Sequence, residues 1–472
     1  MLDAARRMLA GERLYTDLID LNPPFVFWLS EAAVLAGRLG FDPADVFRVI
    51  VIAILLGMLA LAWPLTRDAK AIRAAFVLFA FALPLGHFGE REHLIFGLML
   101  GYVVMGADGA DEADEADGVG VGVGVGWRIA VGVAAGVGMA IKPPVGLVAV
   151  VLTLYLCVRG RSLRPVLRVE NLAALGTLAA AFVAILVFEP AYLQAVQAYG
   201  GLYAEFSRGT PRQLLFRDIY PLSVWLALVV AAVTVASVAA SRRVIALALA
   251  SAAFLGAAVA QGKGFGYHYF PAMGYAVVTL FVLAAADVLP ARRRSGMIRR
   301  VLAVTALVLV LALPALVAVE RFAGKAGDDV VERRALSEAL DDLGPGSRVA
   351  IVSVRLADAY PILLERRWEH VLSMPHVWFT GLGDEGRGKD VEAALWRRVG
   401  ENLREGAPEA IVIRAPAPAE RTRGDVAADY LEYLCADETA RAALAQYGKA
   451  AHASGYDIYR PRQSGAGACA SS

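Results

Sequence analysis

VFRVIVIAILLGMLALAWPL, residues 46–65, is long and apolar enough to cross a lipid bilayer as a helix, because a span needs about 20 apolar residues. The same pattern recurs along the chain and predicts an α-helical polytopic membrane protein. We predict ten transmembrane helices, at 46–65, 71–86, 93–107, 119–140, 144–158, 171–188, 220–240, 244–260, 268–288 and 299–319. The apolar segment 25–40 follows two prolines and carries Glu31 and Arg38, which favours an amphipathic helix at the membrane interface.

The composition of the 472-residue chain agrees with this prediction, since 58% of the residues are hydrophobic and only 19% are charged. The net charge of +1 gives no electrostatic reason to expect a nucleic-acid partner. The three cysteines show no spacing typical of metal ligands. Cys157 lies in an apolar segment and is expected to be buried. Cys435 and Cys469 can pair if the C-terminal region is extracytoplasmic.

Lysine and arginine predict the orientation, because short loops rich in these residues stay in the cytoplasm. The alternate loops that carry them contain Arg67, Lys70 and Arg73, then Arg159, Arg161, Arg164 and Arg168, then Arg242 and Arg243, then Arg292, Arg293, Arg294, Arg299 and Arg300. The complementary segments are predicted to face outward, namely 1–45, 86–93, 141–144, 189–219, 261–267 and everything after about 320. We interpret the aromatic side chains of 189–219 as an interfacial belt.

The chain divides into three predicted parts. Residues 1–45 form a first outer loop with amphipathic helices, and residues 46–320 form the transmembrane bundle. In residues 321–472 the apolar runs shrink to strand length, as in RVAIVSV (348–354) and EAIVIR (409–414). Helical patterns flank these runs, so the last part predicts a small extracytoplasmic α/β domain.

Two acids stand in the first outer loop, within YTDLIDLNPP (15–24). Asp17 and Asp20 come just before Asn22 and two prolines, which remove backbone donors and suit a sharp turn. A carboxylate at this place can deprotonate an acceptor hydroxyl or bind a metal. Helix capping and turn formation are the structural alternatives for either acid.

The second outer loop contains four ionisable residues in succession, Glu90, Arg91, Glu92 and His93. Two carboxylates beside a guanidinium and an imidazole can coordinate a divalent cation, with Glu90 and Glu92 as the metal ligands, or can hold phosphate oxygens. We predict that Glu90 is catalytic and that Arg91 and His93 bind substrate. A solvated hairpin with an internal ion pair is the alternative.

Two further outward segments carry candidate substrate ligands. Lys142 meets two prolines at the end of a span, where a phosphate contact and a snorkelling side chain are both reasonable interpretations. In QGKGFGYHYFP (261–271), glycines allow the backbone to approach a ligand closely. Lys263 can neutralise a phosphate, and Tyr267 and His268 can bond phosphate or sugar hydroxyls.

With these residues in view, the chain resembles the GT-C superfamily of membrane glycosyltransferases, in the bacterial branch related to protein O-mannosyltransferases and the lipid A aminoarabinose transferase. The resemblance rests on AARRMLAGERLYTDLIDLNPPFVFWL (4–29) and on the short loop GEREH (89–93), and it extends over roughly residues 1–320. It implies a polyprenyl-phosphate sugar as donor and transfer with inversion. The acceptor would be an extracytoplasmic glycan, lipid or protein of the envelope, and the catalytic acids would lie in the first two outer loops. The predicted location is the bacterial inner membrane.

The start of the chain departs from this family. There the first-loop acid precedes the stretch that matches AARRML, a place that falls at or before Met1 here, with Asp3 the nearest acid. We therefore expect either an acid and a first transmembrane helix encoded upstream of Met1, or Asp17 in the catalytic role.

Two other functions fit a membrane bundle. A transporter or lipid flippase predicts broken helices and ionisable residues near the middle of the membrane. A non-catalytic scaffold for envelope assembly predicts outer loops that do not meet. An enzyme predicts that Asp17 or Asp20, Glu90 or Glu92, and Lys263 or His268 line one cavity.

Overall fold

The computed structural model describes the chain except for residues 67–68, 85–87, 109–123, 207, 217–218, 238–241, 286–300, 313–332, 355–361, 375, 382–386, 416–428, 463–467 and 471–472. Parts of the predicted spans at 71–86, 119–140, 220–240, 268–288 and 299–319 therefore lie outside the described residues, as do the arginines from 292 to 300. The predicted boundary near residue 320 also lies outside them.

Helices build the first two thirds of the chain. They are α1 Leu2–Leu9, α2 Phe25–Gly37, α3 Pro43–Ala62, α4 Lys70–Val77, α5 Arg91–Leu98, α6 Leu100–Asp108, α7 Val125–Ile141, α8 Gly146–Gly160, α9 Val169–Phe188, α10 Ala191–Glu205, α11 Pro211–Phe216, α12 Ile219–Ser237, α13 Arg242–Ala260, α14 Phe270–Ala284 and α15 Val301–Ala312. A π-helix, Leu78–Ala82, continues α4.

Five helical segments are long and apolar enough to cross a membrane: Pro43–Ala62, Pro143–Gly160, Val169–Phe188, Arg242–Ala260 and Gly266–Ala284. They differ in burial, since the protein covers 83% of the last segment but only 11% of Val169–Phe188. The uncovered side chains of α9 are apolar, for example Leu175 and Val187, each 64% exposed. An apolar helix left this bare in water would be unfavourable, so lipid is its natural solvent. The described part of the chain is thus a polytopic membrane bundle.

A small α/β domain follows the bundle. Its mixed sheet has the strand order β2-β1-β3-β5-β4, with β1 Arg348–Val352, β2 Glu369–His370, β3 Ala410–Arg414, β4 Tyr447–Ala453 and β5 Tyr456–Pro461. Strands β2, β1 and β3 are parallel, and β5 is antiparallel to both β3 and β4. Its helices are 333–339, 362–366, Arg387–Gly406, Tyr430–Ala436 and Glu438–Leu444. The predicted strands at 348–354 and 409–414 are confirmed.

The segment 189–219 is not the loop with an interfacial belt that the sequence suggested. It contains α10 and α11, and the side chains of Tyr199, Tyr203 and Phe206 pack against the C-terminal domain. The rings of Tyr203 and Trp378 lie 5.0 Å apart, and those of Phe206 and Trp378 lie 6.0 Å apart. An aromatic run is favourable in either setting, so hydropathy did not distinguish the lipid interface from a protein contact.

Two of the cysteine predictions are confirmed. Cys435 and Cys469 form a disulfide that ties the helix Tyr430–Ala436 to the C-terminal end of the chain. Cys157 is a buried free thiol in α8. A disulfide is typical of oxidising compartments, which agrees with the predicted outward location of this domain.

Candidate functional site

Polar residues from four separate segments meet at one end of the bundle. Arg91 in α5 donates from Nη1 to the Asn22 side-chain oxygen at 2.5 Å, which joins the first two predicted outer loops. Lys142, at the end of α7, forms an ion pair with Glu92. His268 Nε2 lies 3.8 Å from Oε1 of the same carboxylate. These contacts bring residues of four predicted outward segments together, whereas a shared catalytic cavity remains a prediction.

The local sequence places the Glu92–Lys142 pair. Glu92 lies in the first turn of α5, and Lys142 ends α7 with an extended backbone directly before Pro143. Proline has no N–H to continue the helix, so the chain turns there and the lysine side chain remains at the helix end. Glu92 is 1% exposed and Lys142 is 7% exposed. A buried ion pair contributes little net stability, because desolvation offsets the attraction between the charges.

Three buried polar atoms around this pair have no hydrogen-bond partner among the residues that the structure describes: Arg91 Nε, Glu92 Oε2 and His268 Nδ1. Buried polar atoms in proteins are nearly always satisfied, by protein groups or by bound molecules. Two of these atoms are nitrogens, one on a guanidinium and one on an imidazole, and the third is a carboxylate oxygen. A polar ligand could form hydrogen bonds with all three. Their clustering within one set of contacting residues makes this place the candidate binding site.

Asp20 joins the cluster through Asn22. Its Oδ1 accepts the Asn22 backbone N–H at 2.7 Å, and Asn22 in turn accepts from Arg91. Burial raises the pKa of the half-buried Asp20 carboxyl, and the positive charge of Arg91 partly offsets this effect. A carboxylate with a raised pKa is a better proton acceptor than an exposed one near neutral pH.

Glu90 is the second carboxylate with a raised pKa. It stands at the N-cap position of α5, after a turn in which Gly89 has φ +80°, yet its side chain forms no capping bond. Burial raises the pKa of Glu90, the negative charge of Glu92 raises it further, and Arg91 lowers it. A half-buried carboxylate that is not needed for the cap remains available for proton transfer.

Asp17 lies elsewhere, and its predicted catalytic role is corrected. It accepts hydrogen bonds from the Arg13 backbone at 2.9 Å and from Arg13 Nε at 3.1 Å. These bonds lower the pKa of Asp17, which makes it a weaker base. Arg13 precedes Asp17 by four residues, and the turn between them brings the two side chains together. Asp17 also lines a different cavity, beside Arg398 of the C-terminal domain.

Lys263 holds the protein backbone, in contrast to its predicted role as a phosphate ligand. Its Nζ donates to the carbonyl oxygens of Tyr203 at 2.7 Å and Phe206 at 3.2 Å, and it lies 3.4 Å from the centre of the Tyr203 ring. Those carbonyls are at the C-terminal end of α10, where a cation is favourable. Burial, and then the charge of Lys142, lowers the pKa of Lys263 to about 7.

His93 is likewise occupied by the backbone. Its Nδ1 accepts the Gly89 N–H at 3.1 Å, and its Nε2 lies 2.8 Å from the Ala80 carbonyl oxygen. This arrangement fits a neutral ring protonated at Nε2 and fixes the loop before α5 to the π-helix. We assign His93 to loop positioning, whereas Tyr267 remains in the cluster, with Lys142 Nζ 5.9 Å from its ring centre.

The metal ligation predicted for Glu90 and Glu92 remains a prediction. The part of the chain that the structure describes contains no group of three or more His, Cys, Asp or Glu residues able to hold a metal ion. Glu92 Oε1 is already engaged by Lys142, which competes with a cation for the same oxygen. No step below is therefore assigned to a metal.

Sequence reasoning missed two members of the site. Asn22 links Asp20 to Arg91, and Tyr203 forms a wall beside Lys263. Asn22 precedes the paired prolines, so its place in a constrained turn was a usable signal. Tyr203 had none, because its contact joins segments 60 residues apart in sequence.

No family model matches the sequence, and no curated protein matches it. Among solved structures, the chain is similar to the crystal structure of ArnT from Cupriavidus metallidurans in the apo state, with 16% sequence identity and a TM-score of 0.49. The match covers 97% of this chain and 92% of that chain. Because this similarity is distant, the residues of the site are interpreted from their own geometry.

Proposed function

We propose that this chain is an integral membrane glycosyltransferase that moves a sugar from a polyprenyl-phosphate donor to an acceptor of the cell envelope, with inversion. The observation that carries the proposal is the cluster at one end of the apolar bundle. It combines two carboxylates of raised pKa, Asp20 and Glu90, with two cationic residues and three buried polar atoms that lack partners. This set suits an uncharged hydroxyl nucleophile and an anionic leaving group.

Glu90 is our first candidate for the base, with Asp20 as the second. In the proposed step, the carboxylate takes the proton of the acceptor hydroxyl while that oxygen attacks the anomeric carbon of the donor sugar. The bond from this carbon to the phosphate oxygen breaks, and the polyprenyl phosphate leaves with the electron pair. A single displacement inverts the configuration at the anomeric carbon. A base that acts in the transition state typically contributes about 10²–10⁴-fold to the rate.

Arg91 and Lys142 would stabilise the leaving phosphate. Arg91 has Nε free and is held in place by Asn22, so it presents a fixed donor. Burial is the main cause that lowers the pKa of Lys142 to about 8, so the ammonium is still mostly protonated at neutral pH. Charge develops on the phosphate oxygens as the bond breaks, and preorganised cations in a dry site act most strongly at that moment.

The position of the site favours an enzyme over a transporter. The buried ionic groups lie where helices begin or end: Glu92 in the first turn of α5, Lys142 after α7, and Lys263 after α13. A transport pathway would favour charges midway along the spans. The contacts between loops also speak against a plain scaffold, which has no need of buried polar atoms without partners.

Glu90→Gln tests this proposal. The full-length protein in native membranes is supplied with radiolabelled polyprenyl-phosphate hexoses and pentoses, and transfer to envelope acceptors is measured. We expect at least one donor to be used by the wild type, with a product of inverted configuration, and Glu90→Gln to lower turnover about 10²-fold or more. Glu205→Gln, which alters an exposed carboxylate paired with Arg208, is the matched control. Equal turnover of Glu90→Gln and the wild type would exclude Glu90 as the base, and no transfer from any donor would overturn the function.

A further inference from the structure

A second cavity, of about 460 Å³, lies between the N-terminal segment and the C-terminal domain. Its walls come from α1 and the loop after it, from the residues around β2, and from the helix Arg387–Gly406. Most of the lining residues are charged or polar, among them Arg7, Arg367, Arg398, Asp17, Glu369 and Asn402. None of these residues belongs to the cluster around Glu92, so this cavity is a distinct feature.

Backbone anchors fix the two sides of the cavity together. Arg6 donates to the Trp368 carbonyl oxygen and Arg7 donates to the Leu372 carbonyl oxygen, each at 2.6 Å. The Ile19 N–H donates to the Ser373 carbonyl oxygen at 2.7 Å. The N-terminal segment is thereby attached along the edge of the sheet at several points. A cavity with walls held in this way is preorganised, which lowers the entropy cost of binding a ligand.

The arginine side chains in this cavity differ in how many of their donors already have hydrogen-bond or ion-pair partners. Arg7 is occupied by Glu12, through bonds of 2.9 and 2.7 Å. Arg367, in contrast, is exposed and forms no side-chain hydrogen bond or ion pair with the described residues. Arg398 donates from Nε to the Ser373 hydroxyl at 3.2 Å, and its Nη1 lies 3.6 Å from Glu401, so donors remain on its guanidinium. Guanidinium donors without firm partners are suited to bidentate binding of a phosphate or carboxylate.

Acceptors and amide donors stand beside these cations. Asn402 uses its side-chain oxygen for the Ser373 N–H at 2.7 Å, which leaves its NH₂ group as a donor. Glu369 is an exposed carboxylate that lines the same cavity. Sugar hydroxyls both donate and accept, and they bind well to such mixed groups. The lining thus combines an anion-binding part with a hydroxyl-binding part.

We propose that this cavity binds an anionic saccharide, meaning a sugar that carries a phosphate or a carboxylate, and that it holds the acceptor glycan during transfer. The second half of this statement rests on the proposed function. Continuity with the site supports it, because Arg7 lines both this cavity and a small neighbouring one that also contains Asp20. Asp17 lines the larger cavity, and Asp20, three residues further along the chain, lines the small neighbouring one.

The proposed binding of an anionic saccharide is tested in the absence of the polyprenyl-phosphate sugar. The full-length protein is purified in lipid nanodiscs, and binding of glucose 6-phosphate, glucuronic acid, glucose and inorganic phosphate is measured by calorimetry. We expect glucose 6-phosphate, glucuronic acid or both to bind, and glucose and inorganic phosphate to bind at least about tenfold more weakly, because each lacks one of the two recognised features. Arg367→Gln and Arg398→Gln should each weaken binding of the anionic sugar about fivefold or more.

Arg397→Gln is the matched control, because Arg397 is exposed on the same helix and does not line the cavity. It should bind as the wild type does, and unchanged melting temperatures should show that all three variants fold. Absence of binding by both anionic sugars would overturn the proposal. Equal binding of inorganic phosphate and the sugar phosphate, or an equal loss in Arg397→Gln, would overturn it as well.

The acceptor half has a separate readout. In the transfer assay, Arg367→Gln and Arg398→Gln should raise the KM for the acceptor and leave the KM for the donor unchanged. Binding that depends on these arginines, together with an unchanged acceptor KM, would refute the acceptor role alone. Failure of the proposed function would instead appear as no transfer by the wild type, so the two failures are distinguishable.

Discussion

Each end of α7 contacts a buried glutamate of another helix, Glu170 of α9 at one end and Glu92 of α5 at the other, and the two glutamates have different surroundings. Near its start, Arg128 contacts Glu170, and just after its end, Lys142 contacts Glu92. Glu170 is 4% exposed and Glu92 is 1% exposed, so burial alone does not separate them. A 17-residue helix is about 25 Å long, which places the two ion pairs near opposite faces of a bilayer. The difference lies in how completely each carboxylate is satisfied.

Glu170 has a partner for each oxygen. Arg128 Nη2 lies 2.9 Å from Oε2, and Arg168 Nε lies 2.6 Å from Oε1. The neighbouring backbones pack closely, since a Cβ on Gly132 would lie 2.3 Å from the Glu170 carbonyl oxygen. A fully bonded carboxylate between two tightly packed helices has little capacity left for a ligand. This end of α7 is built for helix packing.

Glu92 has a partner for one oxygen only. Lys142 engages Oε1, whereas Oε2 has no partner in the described part of the chain, and the same holds there for one buried nitrogen of Arg91 and one of His268. Unpaired buried groups cost free energy, typically about 1–3 kcal/mol each. A bound molecule would supply the missing bonds, which is why the proposed function assigns ligand binding to this end of α7. The contrast between the two glutamates can be tested directly.

The largest expected effect is on transfer. Glu92→Gln should lower turnover about 10²-fold or more, because the uncharged amide no longer fixes the Lys142 ammonium in the position where it would stabilise the leaving phosphate. Glu170→Gln, the matched change at the other end of α7, should keep turnover within about threefold of the wild type. Turnover is measured in native membranes, at equal amounts of inserted protein. A similar loss in both variants would mean that the two ends are not functionally distinct.

The second effect is on stability, and here Glu170→Gln, rather than Glu92→Gln, should show the larger loss. Glu170→Gln leaves two arginines without their carboxylate, and an arginine cannot lose its proton. Glu92→Gln leaves Lys142, whose pKa of about 8 lets it become neutral at modest cost. We expect Glu170→Gln to lower the free energy of unfolding by about 2 kcal/mol, and Glu92→Gln by less. Thermal unfolding of the purified protein gives the order, and a greater loss for Glu92→Gln would contradict this assignment.

The sequence predicted the part of this architecture that depends on local pattern. Apolar runs indicated the spans, and strand-length runs indicated β1 and β3, because hydrophobic period and length are local properties. It also indicated that Glu92, Lys142 and His268 belong to one region, through the sidedness of arginine-rich loops. The sequence did not predict which lysine or arginine pairs with Glu92 and which with Glu170. Lys142 is 50 residues from Glu92 and Arg128 is 42 residues from Glu170, and such long-range pairings are set by helix packing.

The site residues show the same limit. Asp17 and Asp20 look equivalent in the sequence, yet one pairs with Arg13 and faces the C-terminal domain, whereas the other joins Arg91 through Asn22. Lys263 was predicted to bind phosphate, but its ammonium group donates to a backbone carbonyl oxygen at the end of α10. The aromatic segment around Tyr203 decided that outcome. Its helical structure was hidden because aromatic residues suit both membrane interfaces and protein cores.

The smallest expected effect is on the pH dependence of transfer. Glu90 must be ionised to accept a proton, and its pKa is raised, so the rate should fall as the pH decreases through a value above the usual range of an exposed glutamate. Lys142 must be charged to stabilise the leaving phosphate, so the rate should also fall as the pH rises above about 8. Lys142→Arg should remove the alkaline decline, because arginine stays protonated. Glu170→Gln should leave the whole profile unchanged.

The raised pKa of Glu90 also affects the stability of the folded protein. The folded protein binds this proton more tightly than the unfolded chain, whose glutamate pKa is about 4.3. Between that value and the raised pKa, the unfolded chain is ionised while the folded one is still protonated, so this group lowers stability as the pH rises through the window. Glu90→Gln should remove that decrease and unfold at or above the wild-type temperature at neutral pH, while transfer is lost. A variant that is less stable than the wild type at neutral pH would show that Glu90 supports the fold, as Glu170 does.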